Sequence, residues 1–158
     1  MLSSFLKKLL FARQFYMVDG KIEVLGKKQI MLPSDVFATL EQSSPNQYSL
    51  VLKNAVKRDI SEYAKKLGSS GEGVLKNIDD IFGTFGLGKL ELVTVDFKKK
   101  TCILRLHDPW LKHTSEKSEF LITPAILSGV FSFLFSKDVD VRQTNPDKAY
   151  AYEEYVVG

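Results

Sequence analysis

One cysteine, two histidines and one tryptophan are all that this 158-residue chain offers of several residue types that chemistry most often recruits. A lone Cys102 excludes an internal disulfide framework and cannot build a multi-cysteine metal site, so a reducing, cytoplasmic setting is the simplest expectation. His107 and His113, with Asp108 between them, fall short of the three or four convergent N, O or S ligands that a metal needs, and they read as loop residues. No metal and no cofactor is expected. A charge excess is lacking too: 22 Lys and Arg stand against 19 Asp and Glu, a net charge of +3. That balance does not provide the concentrated basic surface of a nucleic-acid binder, so no direct nucleic-acid partner is expected.

A membrane-length apolar run is also missing. The stretch FLITPAILSGVFSFLFS, between Glu119 and Lys137, carries no charge over seventeen residues. It is shorter than the roughly 20 apolar residues of a spanning helix and contains Thr123, Pro124, Ser128 and Ser132. A buried helix, not a membrane span, is the expectation. At the start, MLSSFLKKLLFARQFY has Lys7 and Lys8 inside its apolar run and no small-residue cleavage site, so it reads as an amphipathic helix and not as a secretory signal.

What the chain does contain is local structure of both kinds. RQFYMV and KIEVLG flank Asp19-Gly20, a dipeptide that tolerates positive φ at both turn positions and so predicts a hairpin. KQIML predicts a third strand, and Pro33 suits the first turn of a short helix over PSDVFATLEQ. From Gln47 to Leu67 the residues Tyr48, Leu52, Val56, Ile60, Tyr63 and Leu67 recur at spacings of three and four, which places them on one face of a long helix. Lys53, Lys57, Arg58, Lys65 and Lys66 fall mostly outside that face and read as its solvated side. Ser69 with Glu72 predicts a capping box for a further helix bearing Val74, Ile78, Ile81, Phe82 and Phe85 on one face. KLELVTVDF and TCILRLH then predict strands joined by a lysine-rich tip, Lys98 to Lys100. After the polar loop DPWLKHTSEKSE and the uncharged helix, DVDVRQT and AYAYEEYVV predict two last strands. These elements make a single α+β domain, 1–158, with an antiparallel sheet packed against several helices.

GTFGLGKL, Gly83 to Leu90, nearly matches the phosphate-binding loop G-x-x-x-x-G-K-[ST]. Its context is reversed. A phosphate loop follows a strand and opens a helix, whose N-terminus holds the anion, whereas here a helix ends and a strand begins. The glycines therefore suit a helix C-cap, and Leu90 lacks the hydroxyl that would meet magnesium.

The order of these pieces, RQFYMVDGKIEVLGKKQIMLP, then the junction FGLGKLELVTVD, then ITPAILSGVFSFLFSKDVDVRQT, resembles the 4-vinyl reductase (4VR) domain family over nearly the whole chain. Archaeal members of that family are often described as hydrocarbon-binding proteins. The resemblance implies an α+β fold shared with small subunits of TRAPP trafficking complexes and with haem-based nitric-oxide sensor domains. It also implies an apolar small-molecule ligand and a homodimer formed through helices. Many members carry cysteines on the last two strands and a histidine near the helix. QTNPDKAYAYEEYVV has no cysteine, which puts a metal or thiol-switch role in doubt.

A helix that is apolar on nearly every side must be covered on nearly every side, by sheet, helix, partner or ligand. Gly129 at its middle permits close approach. The expected apolar pocket is formed by Trp110, Phe120, Ile122, Leu127, Phe131, Leu134 and Tyr152, in a non-catalytic binding or sensor module; a regulatory role would need a separate partner, since no DNA-reading element is recognisable. The alternative is a scaffold subunit whose apolar surface is buried by protein. A third reading, an enzyme, would need a hydride donor, and no strand-G-x-G-x-x-G-helix unit is present. Cys102 reads as a small core hydrophobe, with no charged neighbour in sequence to lower its pKa.

Overall fold

The computed structural model describes residues 4–44, 48–111, 121–144 and 151–158. In chain order these form α1 (Ser4–Phe11), β1 (Phe15–Val18), β2 (Lys21–Val24), β3 (Lys27–Gln29), α2 (Ser34–Ser43) and α3 (Ser49–Lys66). There follow α4 (Gly71–Lys76), α5 (Ile78–Thr84), β4 (Lys89–Asp96), β5 (Thr101–His107), α6 (Ile122–Leu134), β6 (Val141–Gln143) and β7 (Tyr152–Val157). The fold is α+β, and its strands make two antiparallel sheets, ordered β1-β2-β3 and β4-β5-β7-β6.

In the smaller sheet Asp19 and Gly20 take φ of 51° and 71° and close the first hairpin, with Val18 opposite Lys21. The second turn has the same geometry at Leu25 and Gly26, φ 52° and 76°. A leucine in the left-handed region carries no turn signal in the sequence. It is held there by complete burial of its side chain, by its N–H donating to the Gln14 carbonyl at 2.7 Å, and by the Lys66 ammonium donating to its own carbonyl. The third strand is shorter than KQIML: pairing ends at Gln29, and Ile30, Met31 and Leu32 run on unpaired and exposed.

In the larger sheet the alternation of β5 sends Cys102, Leu104 and Leu106 inward and Ile103, Arg105 and His107 outward. The inward set packs with Leu90, Tyr155, Val157, Leu127 and Phe131 in the main core. The helix predicted to bear Val74, Ile78, Ile81, Phe82 and Phe85 is in fact two. The Asn77 side-chain amide donates to the Gly73 carbonyl at 2.7 Å, and the backbone breaks there into α4 and α5, since a short amide can take over the turn's hydrogen bonding. Its N-cap is Ser70, not Ser69: the Ser70 hydroxyl accepts from Gly73 N–H.

The glycine junction ends α5 in the way its composition predicts. Gly86 at φ 71° lets Gly86 N–H reach the Gly83 carbonyl and Leu87 N–H reach the Phe82 carbonyl, the paired bonds of a Schellman cap. A strand, not a helix, leaves it.

The helices α3 and α6 meet face to face at Gly129. A Cβ built there would lie 2.5 Å from the Lys53 carbonyl oxygen and 2.9 Å from the Val56 Cβ, so the two helices approach as closely as a hydrogen at this position allows. One residue of the expected solvated side of α3 is therefore inside: Lys53 is 7% exposed. Its ammonium meets Asp140 at 2.8 Å and Asp138 at 3.1 Å, in the stretch between α6 and β6. Burial alone would lower the Lys53 pKa, but the hydrogen bonds that it donates to these two carboxylates together raise it, so the lysine stays charged.

Candidate functional site

The face of α3 that the spacing marks as apolar packs on the core only in part. Leu52, Val56, Ile60 and Tyr63 line a cavity of about 630 Å³, within the usual range for small-molecule sites. Across from them stand Ile126 and Val130 of α6, Ile81 and Phe82 of α5, and Phe85 and Leu87 from the Schellman cap. The segment after β3 supplies Ile30, Met31 and Leu32 along one side, and α2 adds Phe37. Trp110, from the stretch that follows β5, sits with its ring edge-to-face against Phe37, centroids 5.3 Å apart at 70°. This aromatic end is built on a small second cluster of Leu111, Ile122, Ala38, Leu52 and Ile126.

Phe37 is placed there by a long-range contact. Glu41, one turn further along α2 and buried, turns its carboxylate onto the start of α6, where Oε1 accepts from Leu121 N–H and from Ile122 N–H, the latter at 2.7 Å. The first N–H groups of a helix have no partner within it, and a carboxylate also suits the positive end of the helix dipole. The bond thus docks α2, and with it Phe37, against α6. Nothing in the local sequence of either helix announces a pairing across 80 residues.

The other end of the cavity is polar. Tyr63 stacks on Phe85, rings parallel within 3° at 6.3 Å, and its hydroxyl oxygen accepts from the Gln29 amide at 3.4 Å. Asp59, one turn before Tyr63 on α3, receives Lys27 at 2.6 Å, and Lys27 also meets Glu62 at 2.8 Å. Those carboxylates raise the Lys27 pKa and Lys27 lowers that of Glu62, so this lysine is already occupied as a cation. Burial, with the Asp59 charge adding to it, raises the Tyr63 pKa and keeps its phenol protonated. Among the described residues that line the cavity, Asp59 is the one that carries a charge.

Of the seven residues expected to form the pocket, Trp110 lines this cavity. Phe120 lies outside the described residues. Ile122 is buried beneath the aromatic end, against Leu111. Leu127, Phe131 and Leu134 are in the main core: successive helical residues turn about 100°, so this stripe is a quarter-turn or so round from Ile126 and Val130. Tyr152 is on the outward face of the larger sheet, under the Arg105 guanidinium at 4.6 Å. His107 shares that face, 2.7 Å from the Glu91 carboxylate, and its presence lowers the Glu91 pKa; His113 lies outside the described residues. Cys102 is fully buried in the core, where desolvation pushes its thiol up to about 12. Among the described residues no three His, Cys, Asp or Glu side chains gather as a metal site, and no helix is long and apolar enough to cross a membrane.

No family model and no curated protein matches the chain. Solved structures do. The phenol-responsive sensory domain of the transcription activator PoxR, solved with phenol, superposes with a TM-score of 0.73 at 15% identity, covering 98% of this chain and 90% of that one. A trafficking protein particle complex subunit 3 from Naegleria fowleri, covalently bound to palmitic acid, gives 0.51 at 15% identity over 78% and 87%. A vinyl-4-reductase family protein from Methanocaldococcus jannaschii gives 0.51 at 18% identity over 84% and 83%. At these identities the likeness establishes a shared fold, one found in a sensory domain, a trafficking subunit and a vinyl-4-reductase family protein.

Proposed function

We propose that this protein is a cytoplasmic small-molecule-binding module, related to the 4-vinyl reductase domain family, that takes an apolar ligand and acts as a sensor through a separate partner. The observation that carries the reading is the cavity: about 630 Å³, with apolar walls from α3, α5 and α6 and an aromatic end at Phe37 and Trp110. The PoxR sensory domain, similar over nearly the whole chain, was solved with a small aromatic molecule. On this reading the ligand contacts are Phe37, Leu52, Val56, Ile126, Val130 and Trp110. Leu127, Phe131 and Leu134 serve as the support beneath them.

A second reading is favoured by a different observation. Tyr16, Met17 and Val18 on the edge strand β1 are exposed, as are Ile30 and Met31 beside the cavity, the last two at 79% and 76%. Exposed apolar side chains on an edge strand are an adhesive surface unless covered. In that reading they form the homodimer contact or the assembly surface of a scaffold subunit.

Paired native and denaturing mass spectrometry of freshly purified protein tests both. Dimer carrying extra mass that disappears on denaturation is the expected result and gives the ligand's mass. A dimer without adduct, unshifted in thermal stability by aromatic or aliphatic hydrocarbons, would overturn the ligand reading in favour of the scaffold.

A further inference from the structure

The polar end of the cavity specifies more than an apolar ligand. Asp59 and Tyr63 are four residues apart on α3, so their side chains are neighbours on one face of the helix. The described hydrogen bonds to Asp59 fall on Oδ1, from Lys27 and Arg58, which leaves Oδ2 as an acceptor among the described residues. The Tyr63 oxygen accepts from Gln29, and its own proton has no acceptor among the described residues. One carboxylate acceptor and one phenol donor, side by side, match a group that both donates and accepts one hydrogen bond. A neutral hydroxyl does this. A carboxylate does not: it cannot donate to Asp59, it would sit beside Asp59 and close to Glu62, and the nearby cation, Lys27, is held by both of them.

The distance between the two ends is also fixed. From Leu52, beside Phe37 and Trp110, to Tyr63 is eleven residues of helix, or about 16 Å of wall. A single aromatic ring fills one end only. We infer, resting on the apolar-ligand reading above, that the cavity takes an elongated amphiphile with a neutral hydroxyl head seated between Asp59 and Tyr63 and an apolar body running to Phe37 and Trp110.

Trp110 is the only tryptophan in the chain and lines the cavity, so its fluorescence reports occupancy directly. Three probes, titrated into the full chain at neutral pH, separate the terms: decan-1-ol, its methyl ether, which keeps the oxygen but cannot donate, and decanoate. The expected order is decan-1-ol tightest, the ether about three- to tenfold weaker for the lost hydrogen bond, and decanoate about tenfold weaker or more. Asp59→Asn, checked for unchanged melting, should bring the alcohol and its ether closer together in affinity while leaving the ether's own nearly unchanged, whereas Tyr63→Phe, checked likewise, should weaken both by a similar factor, since both keep the oxygen to which Tyr63 donates. Binding of the ether or decanoate as tight as the alcohol would overturn the head-group assignment while the apolar-ligand reading stood. So would an alcohol-to-ether ratio that Asp59→Asn does not move. Failure of all three probes to bind would overturn both.

Discussion

Replacing Gly129 by alanine adds one methyl group to the closest approach between α3 and α6, and the geometry sets the size of the effect. The new Cβ would lie 2.5 Å from the Lys53 carbonyl oxygen, 2.9 Å from the Val56 Cβ and 3.1 Å from the Lys57 nitrogen. Ordinary contact begins near 3.4 Å, so relief requires a shift of roughly 0.9 Å. None of the three atoms is the free end of a side chain; all belong to the α3 backbone or its branch point, so the helices themselves must part. Overpacking of this kind costs about 1–3 kcal/mol, sometimes more, against about 1 kcal/mol that alanine gains over glycine inside a helix. With the cost at the upper end of that range, because a shift this large must move backbone, the expected net is a loss of about 2 kcal/mol, which for a chain of this length lowers the melting temperature by about 4–8 °C. Gly83, in α5, is the internal control: its φ is not in the left-handed region and a Cβ there meets nothing within 4 Å. Gly83→Ala should therefore keep the propensity gain and raise the melting temperature by about 2–4 °C. Thermal and urea melts followed by far-UV circular dichroism measure both. A Gly129→Ala protein melting at or above the parent would refute the close contact, and with it the placement of α3 against α6 that shapes the cavity.

Two further outcomes follow from buried groups. Glu41→Ala removes the acceptor for two N–H groups at the start of α6 and should cost about 2–4 kcal/mol in a urea melt, whereas Glu41→Gln, which keeps an oxygen there, should cost about half as much; equal stability of Glu41→Ala and the parent would show that α2 is not docked by this bond. Cys102, fully buried and with its thiol pushed up to about 12, should resist alkylation by iodoacetamide at mildly alkaline pH in the native protein and react fully once unfolded; rapid stoichiometric labelling of native protein would contradict its place in the core.

The sequence by itself determined the features that depend on a few neighbouring residues. Asp19-Gly20 makes its turn because both residues tolerate positive φ, and the positions in β5 alternate because successive side chains on a strand point to opposite faces. Gly86 ends α5 because a left-handed residue completes the cap, which also explains why a near match to a phosphate loop is none. The charge-free run could be read as a buried helix, since such a helix has no side to give to water. Periodicity also marked Leu52, Val56, Ile60 and Tyr63 on one face of α3, whereas Tyr48 and Leu67, at its two ends, are exposed.

What only the tertiary structure decided is which apolar stripe meets which neighbour. On α6 both of these stripes are apolar, so hydrophobicity could not distinguish Leu127, Phe131 and Leu134, which lie wholly in the core, from Ile126 and Val130, which pack on the core and also line the cavity. Gly129 contributes to that choice, because without a Cβ it lets α3 seat directly against this side of the helix. The same holds for the polar groups. Lys53 looks like a solvated lysine until the stretch after α6 brings Asp138 and Asp140 to it, and Glu41 like a surface glutamate until α6 presents its open N–H groups. Leu25 adopts a glycine-like turn because burying its side chain outweighs a local backbone preference. Local backbone preferences act over a few residues and can be read in order along the chain. Contacts between residues 80 or more apart depend on how whole elements dock, and that is fixed only when all of them are packed together.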